Sequence, residues 1–196
     1  MLLYRIFRFL LTILCKIFFG LEVCGKEFIP KRGGFVLVSN HASLLDPILL
    51  GVSCPRILNF AAKDSLFSNP LFAVLLRRVG AFPIKRWSAD LSAVRESVRR
   101  LKEGRGLVVF PEGTRSTDNQ IKDLSAGFIF LAHKAGVPVV PARIYGSSEA
   151  LAKGRRMIKP IGIRVIFGRS FSVQGDQAHS DILKDIHRQI SMLGRI

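Results

Sequence analysis

Acidic residues are scarce: 14 Asp and Glu stand against 30 Lys and Arg in 196 residues, a formal charge of +16. Such a field draws anionic partners to the surface and disfavours polycationic ones. Cysteine is rarer still. Cys15, Cys24 and Cys54 are odd in number, with neither C-x-x-C spacing nor a neighbouring His, which argues against a disulfide scaffold and a structural zinc. No G-x-S-x-G occurs, so the nucleophile elbow of the serine esterases is absent. Repeats, low-complexity tracts and long linkers are also missing. Fifteen of the aromatics are Phe, against one Trp and two Tyr. They sit in apolar runs and are not interleaved with Lys and Arg as base-stacking platforms, so no nucleic-acid partner is expected. With 48% hydrophobic residues, the chain has material for one sizeable core.

The first twenty residues lack carboxylates altogether. Leu2 to Leu21 carries only Arg5, Arg8 and Lys16 as charges. At about 100° per residue, Arg5, Thr12 and Lys16 fall on one narrow stripe with Arg8 at its edge, and every other face is apolar. This pattern predicts an amphipathic helix in the headgroup boundary of a membrane, bases toward phosphates. A spanning anchor needs about 20 mostly uncharged residues, and the longest uncharged run, Phe9 to Cys15, is seven. Snorkelling bases keep a span open as the alternative, as does a helix packed on its own domain. The residues after Cys15 are Lys, Ile, Phe and Phe, unlike a signal-peptide cleavage site.

Beyond Gly20, short apolar runs alternate with helical patterns. FVLVS (35–39), ILNFAA (57–62), GLVVF (106–110), VPVVPARIY (137–145) and IRVIF (163–167) read as strands. Pro138 and Pro141 predict an edge or short strand for the fourth, because proline cannot donate to a ladder. Leu91, Val94, Val98 and Leu101 recur at helical spacing between a Ser88 or Asp90 cap and Gly104. Ile121, Leu124, Phe128, Leu131 and Ala135 predict a helix with Gly127 inside it, and Ile182, Ile186, Ile190 and Leu193 a last one. The sequence thus predicts an α/β fold: a membrane-associating helical segment over 1–25, then one domain over 26–196 with a central sheet core flanked by helices.

Two strands run directly into polar motifs. NHASLLDP (40–47) follows the first strand, where α/β proteins place ligands. His41 is a natural base near neutrality, and Asp46 is a carboxylate able to orient it. On a regular helix their five-residue offset turns the pair about 140° apart, so they meet only if the backbone turns between them. FPEGTRS (110–116) follows another strand. Arg115 can grip a phosphate in a bidentate fork, and Gly113 lets backbone N–H groups approach one. GAFPIKR (80–86) adds Lys85 and Arg86 after a turn-to-strand stretch. His133, His179 and His187 have no convincing partner pattern.

Together these segments resemble the PlsC-like glycerolipid acyltransferase family, whose members include 1-acylglycerol-3-phosphate acyltransferases. NHASLLD is similar to the family's N-H-x4-D block, GAFPIKR to its second block, FPEGTRS to its third and VPVVPA (137–142) to its proline-containing fourth, in the family's order. The resemblance implies acyl transfer from acyl-CoA or acyl-ACP to the hydroxyl of a lysophospholipid acceptor at a phospholipid bilayer, with no cofactor beyond the thioester co-substrate. It places the enzyme on the cytoplasmic face of the cell membrane. His41 becomes the base and Asp46 its orienting partner, while Arg86, Glu112, Gly113, Thr114 and Arg115 hold the acceptor's glycerol phosphate. The chain departs from the family at KDLSAGF: Ser125 and Ala126 precede Gly127 where many members carry a base, and Lys122 is the candidate substitute. The acceptor that the resemblance favours is 1-acylglycerol 3-phosphate, giving phosphatidic acid; another lysolipid acceptor, or a non-catalytic basic protein that binds membranes or nucleic acid, is the alternative, and the donor type stays open.

Overall fold

A computed structural model describes residues 2–84, 90–116, 124–173 and 178–194, with side chains from Ile6 onward. Its helices are α1 (Leu2–Phe19), α2 (Asp46–Ser53), α3 (Pro70–Arg78), α4 (Leu91–Lys102), α5 (Gly127–Ala135), α6 (Ser147–Ala150) and α7 (His179–Met192). Its strands are β1 (Glu22–Cys24), β2 (Phe35–Ser39), β3 (Leu58–Lys63), β4 (Ala81–Ile84), β5 (Gly106–Val109), β6 (Val139–Tyr145) and β7 (Arg164–Phe167). Among the described residues the strands form one sheet in the order β1-β7-β6-β2-β5-β3-β4. All pairings are parallel except β6 with β7.

The period of two along the strands builds three layers. Phe35 and Leu37 of β2 pack into one apolar cluster with Cys15 and Phe19 of α1 and Leu49 and Leu50 of α2. Val36 and Val38 face the other way, onto Leu101 of α4, Phe128 and Ile129 of α5 and Ile182, Ile186 and Ile190 of α7. Both faces of β2 are covered and all five of its residues are buried, which is why it reads as a continuous apolar run. Asp90 caps α4 by accepting from the N–H groups of Ser92 and Ala93, a contribution of about 1 kcal/mol.

Four features differ from the sequence expectations. The proline strand β6 is interior, between β7 and β2. Pro138 precedes it, and Pro141 turns toward β7, where its carbonyl accepts from Gly168 N–H. Val139 pairs with Phe171 but Ala142 with Phe167, so a bulge on the β7 side absorbs the missing donor. Helix α5 begins at Gly127, so Gly127 sits at the first helical position, where its backbone freedom costs less than inside a helix. Leu124 lies ahead of the helix and Ile121 outside the described residues.

The third difference concerns α1. Its inward face is Arg8, Leu11, Thr12, Cys15 and Phe19, while Ile6, Phe7, Phe9, Leu10, Ile13, Leu14, Ile17 and Phe18 point outward. The Arg8 guanidinium donates to the Cys54 carbonyl at the end of α2, so this half-buried base fastens the helix to its domain. Thr12 back-bonds to the Arg8 carbonyl at 2.8 Å, and Lys16 stays exposed. Burial pushes the Cys15 and Cys54 thiols above their ordinary range, which leaves them protonated packing groups. Fourth, the chain joins the sheet already at Glu22, because β1 pairs with β7.

Candidate active site

Strands β2 and β5 are parallel neighbours with Val38 opposite Val109, so the two motifs that follow them leave the sheet at one rim. The connection from β2 runs through α2 to β3 on one side, and that from β5 through α5 to β6 on the other. Such a reversal opens a crevice at the strand ends. Asn40 fixes how β2 exits: its carboxamide donates to the Ile144 carbonyl at 3.0 Å and accepts the Ile144 N–H at 2.8 Å. The side chain extends the β2–β6 pairing by imitating a peptide.

The chain then wraps around one oxygen. Asp46 Oδ2 accepts the N–H groups of Ala42 at 2.7 Å and Ser43 at 2.8 Å, and lies 2.9 Å from His41 Nδ1. This turn overcomes the wrong rotation of a five-residue helical offset. Asp46 opens α2 and Pro47 follows it, positions that favour a carboxylate and a proline respectively. Ser43 Oγ donates to the Leu151 carbonyl at 2.8 Å and accepts from Leu45 N–H, which ties the loop to the end of α6. The Asp46 side chain is 1% exposed and that of His41 13%, so the carboxylate is sealed behind an imidazole that still reaches the rim. A carboxylate at Nδ1 holds the neutral ring in the tautomer with its proton on Nδ1, and leaves the Nε2 lone pair free.

The second motif clamps His41 from the other side. The imidazole stacks on Phe110, ring centroids 4.1 Å apart at 20°. The His41 N–H donates to Glu112 Oε1 at 2.9 Å, and the His41 carbonyl accepts Ser116 N–H at 2.7 Å. Glu112, expected at the acceptor, is thus engaged with the histidine main chain, and a carboxylate so placed would repel a phosphate. Gly113, expected to let backbone N–H groups approach a phosphate, donates its own N–H to the Phe110 carbonyl at 3.1 Å and turns at φ 69°, a left-handed conformation that glycine adopts freely. Thr114 and Arg115 are half-buried beside it. Among the described residues the Arg115 guanidinium has no hydrogen-bond or ion-pair partner, which leaves its fork available. Lys85, Arg86 and Lys122 lie outside the described residues. No group of three metal-ligating side chains occurs among the described residues.

Sequence reasoning brought His41, Asp46, Glu112, Gly113, Thr114 and Arg115 to one rim, where the structure also gathers them. It missed the supporting roles of Asn40, Phe110, Ser43 and Ser116. Each acts through a contact 69 or more residues away or through a backbone group, and only the position of Phe110 at a strand end carried a hint. The ensemble presents a histidine held at Nδ1 by a buried carboxylate, alongside an arginine that has no partner among the described residues. Such an arrangement can abstract a proton beside a bound anion.

Comparison with known proteins was informative at three levels. The Acyltransferase family model matches residues 20–145, more than half of the chain. The sequence is 32% identical over 161 residues to a 1-acyl-sn-glycerol-3-phosphate acyltransferase of Bacillus subtilis (strain 168), covering 82% of this chain and 77% of that protein. It is 29% identical over 179 residues to a chloroplastic 1-acyl-sn-glycerol-3-phosphate acyltransferase of Brassica napus, covering 87% of this chain and 52% of that one. The crystal structure of the 1-acyl-sn-glycerophosphate (LPA) acyltransferase PlsC from Thermotoga maritima superposes with a TM-score of 0.74 at 29% identity, over 87% of this chain and 69% of that one.

Proposed function

The chain belongs to the acyltransferase family, and on that premise we propose that it moves a fatty acyl group from an acyl thioester to the free hydroxyl of 1-acylglycerol 3-phosphate, giving phosphatidic acid. The observation that carries this reading is the His41–Asp46 pair, 2.9 Å apart at the mouth of the sheet. In the reaction, His41 Nε2 takes the acceptor's hydroxyl proton while that oxygen attacks the thioester carbonyl. The C–S bond then breaks, and the departing thiolate recovers the proton from Nε2. Asp46 stabilises the imidazolium formed in between. A thioester is already activated, so this route requires no covalent enzyme intermediate and no cofactor. A positioned base supplies about 10² to 10⁴ in rate, and alignment of the two substrates much of the remainder.

The acceptor's phosphate is assigned to Arg115, with Thr114 beside it and Arg86 as the second base. Glu112 is assigned to holding His41 through its main chain, and Gly113 to the turn that aims Arg115. The donor is acyl-coenzyme A or acyl carrier protein; both are anionic, as the +16 charge suits. Acceptor and product are bilayer lipids, and the outward apolar side chains of α1 would seat the enzyme on the cytoplasmic face of the cell membrane. Among the described residues no helix is long and apolar enough to cross a membrane.

The test is transfer of labelled oleate from its coenzyme A and carrier-protein thioesters to a panel of lysophospholipids by the full chain. Label in phosphatidic acid is expected. Label confined to another diacyl lipid would replace the acceptor, and no transfer from either donor would refute the reading.

A further inference from the structure

Helix α3 buries almost nothing of itself. Its nine residues are PLFAVLLRR, and Ala73 alone is buried. Leu71 is 83% exposed, and Phe72, Val74 and Leu75 are each exposed by nearly half. A soluble amphipathic helix would turn those side chains to a core; this one turns them outward.

Topology places α3 in the same layer as α1 and α2. The steps from β2 to β3 through α2 and from β3 to β4 through α3 both move the same way along the sheet, across parallel strands. Right-handed crossovers then put α2 and α3 on one face, and the shared apolar cluster puts α1 there as well. The steps from β4 through α4 and from β5 through α5 run back along the sheet, which places α4 and α5 on the other face, as their own cluster records. On that other layer, exposed large apolar side chains are sparse: Leu91, Phe130 and Met192 among the described residues. On the α1–α3 layer they are dense, and Ile48 of α2 continues them between its two ends.

Charge identifies what covers this face. Neither α1 nor α3 contains an acidic residue; α3 ends on Arg77 and Arg78, both exposed, and α1 keeps Lys16 exposed. Asp64, in the turn before α3, is the neighbouring carboxylate. Apolar side chains bounded by bases match the interface of an anionic bilayer: the chains reach the acyl boundary and the bases meet phosphates.

We propose that α3 is a second membrane contact, so that the α1–α2–α3 layer as a whole rests on an anionic phospholipid leaflet. The loop carrying His41 leads directly into α2, between the two contacts. A lysolipid then reaches Nε2 by lateral movement within the leaflet, without leaving it. The binding claim stands independently of the reaction proposed above; only its consequence for turnover rests on it.

The experiment uses the full chain and vesicles of phosphatidylcholine with and without phosphatidylglycerol, read by co-sedimentation. The Leu71→Asp/Leu75→Asp variant removes the α3 contact at exposed positions, and Leu91→Asp, also exposed but on the opposite layer, is the control. Vesicle partitioning is expected to fall about tenfold or more for the first and stay unchanged for the second, with circular dichroism native for both. Arg77→Ala/Arg78→Ala is expected to remove about fivefold per charge, on phosphatidylglycerol vesicles only. Partitioning of the α3 variant equal to that of the unmodified chain would overturn the proposal, as would an equal fall in the control. A change of oligomeric state by light scattering with vesicle binding intact would assign the face to a second copy and overturn it too. In the activity arm, the α3 variant loses turnover on vesicle-embedded acceptor but keeps it on a short-chain soluble one. Absence of turnover in the unmodified chain would refute the reaction while leaving the binding result to decide α3.

Discussion

Replacing Asp46 by Asn separates holding the loop from charging the base. Asp46 Oδ2 gathers three donors, the N–H groups of Ala42 and Ser43 and His41 Nδ1, all within 2.9 Å. An Asn oxygen at the same place still accepts all three, so the loop and the tautomer survive. Its NH2 group falls where Oδ1 is now, a buried atom without a hydrogen-bond partner, and an unsatisfied buried donor costs about 1–3 kcal/mol. The variant therefore folds with reduced stability. Catalysis suffers more, because the imidazolium formed when His41 takes the hydroxyl proton no longer faces a negative charge. We expect kcat to fall by about 10² to 10⁴, the full worth of a positioned base, with KM for the acceptor little changed. Steady-state acyl transfer on membrane acceptor, with thermal melting alongside, reads both effects. Unaltered kcat in a natively folded variant would refute the claim that the carboxylate serves the base.

Arg115→Ala should raise KM for a phosphorylated acceptor by about 10- to 100-fold, the worth of a charge-assisted fork of about 1.5–3 kcal/mol, and leave an acceptor without phosphate unaffected. Comparing the two acceptors checks it. Glu112→Gln keeps an oxygen for the His41 N–H and should retain most of kcat, whereas Glu112→Ala frees the His41 loop and should lower kcat more than KM; parallel kinetics of the two variants distinguish holding from substrate contact. On α4, hydrogen bonding to Arg99 and then Arg100 holds Glu96 down from 4.5 to about 2. A depressed carboxylate contributes stability above its unfolded value. This contribution is therefore complete above pH 4.5 and lost as pH falls toward 2. Solvent screening keeps it small. Glu96→Gln should flatten that part of the melting-temperature profile, as should high salt in the unmodified chain.

Much of the sheet was legible because β2 and most of β5 are buried, and with β7 they read as short apolar runs rich in β-branched and aromatic residues. The site was legible because both of its motifs sit at strand ends, and β2 and β5 turned out to be adjacent. What local pattern could not show was pairing at a distance. Pro141 signals an edge until the bulge at Gly168, on the β7 side, is seen to absorb its missing donor. Strand β1 is only Glu22, Val23 and Cys24, and exists because β7 offers an edge. Helix α3 went unread, although Asn69 caps it by accepting from Leu71 and Phe72 N–H, because most of its apolar side chains face outward and mark no core stripe. Arg8 reads as a phosphate-facing base, yet the Cys54 carbonyl at the end of α2 claims it. The same holds within the site: Glu112 and Gly113 read as ligand groups because a sequence does not disclose that the His41 N–H and the Phe110 carbonyl stand in reach.

The central claim is that His41 Nε2 takes the acceptor's proton. Single-turnover acyl transfer from labelled oleoyl thioester to 1-acylglycerol 3-phosphate by His41→Ala, beside the unmodified chain, addresses it most directly, with vesicle binding as the check on folding. A loss of at least about 10²-fold in the transfer rate, with vesicle binding intact, is the expected result. Transfer at the unmodified rate would contradict it.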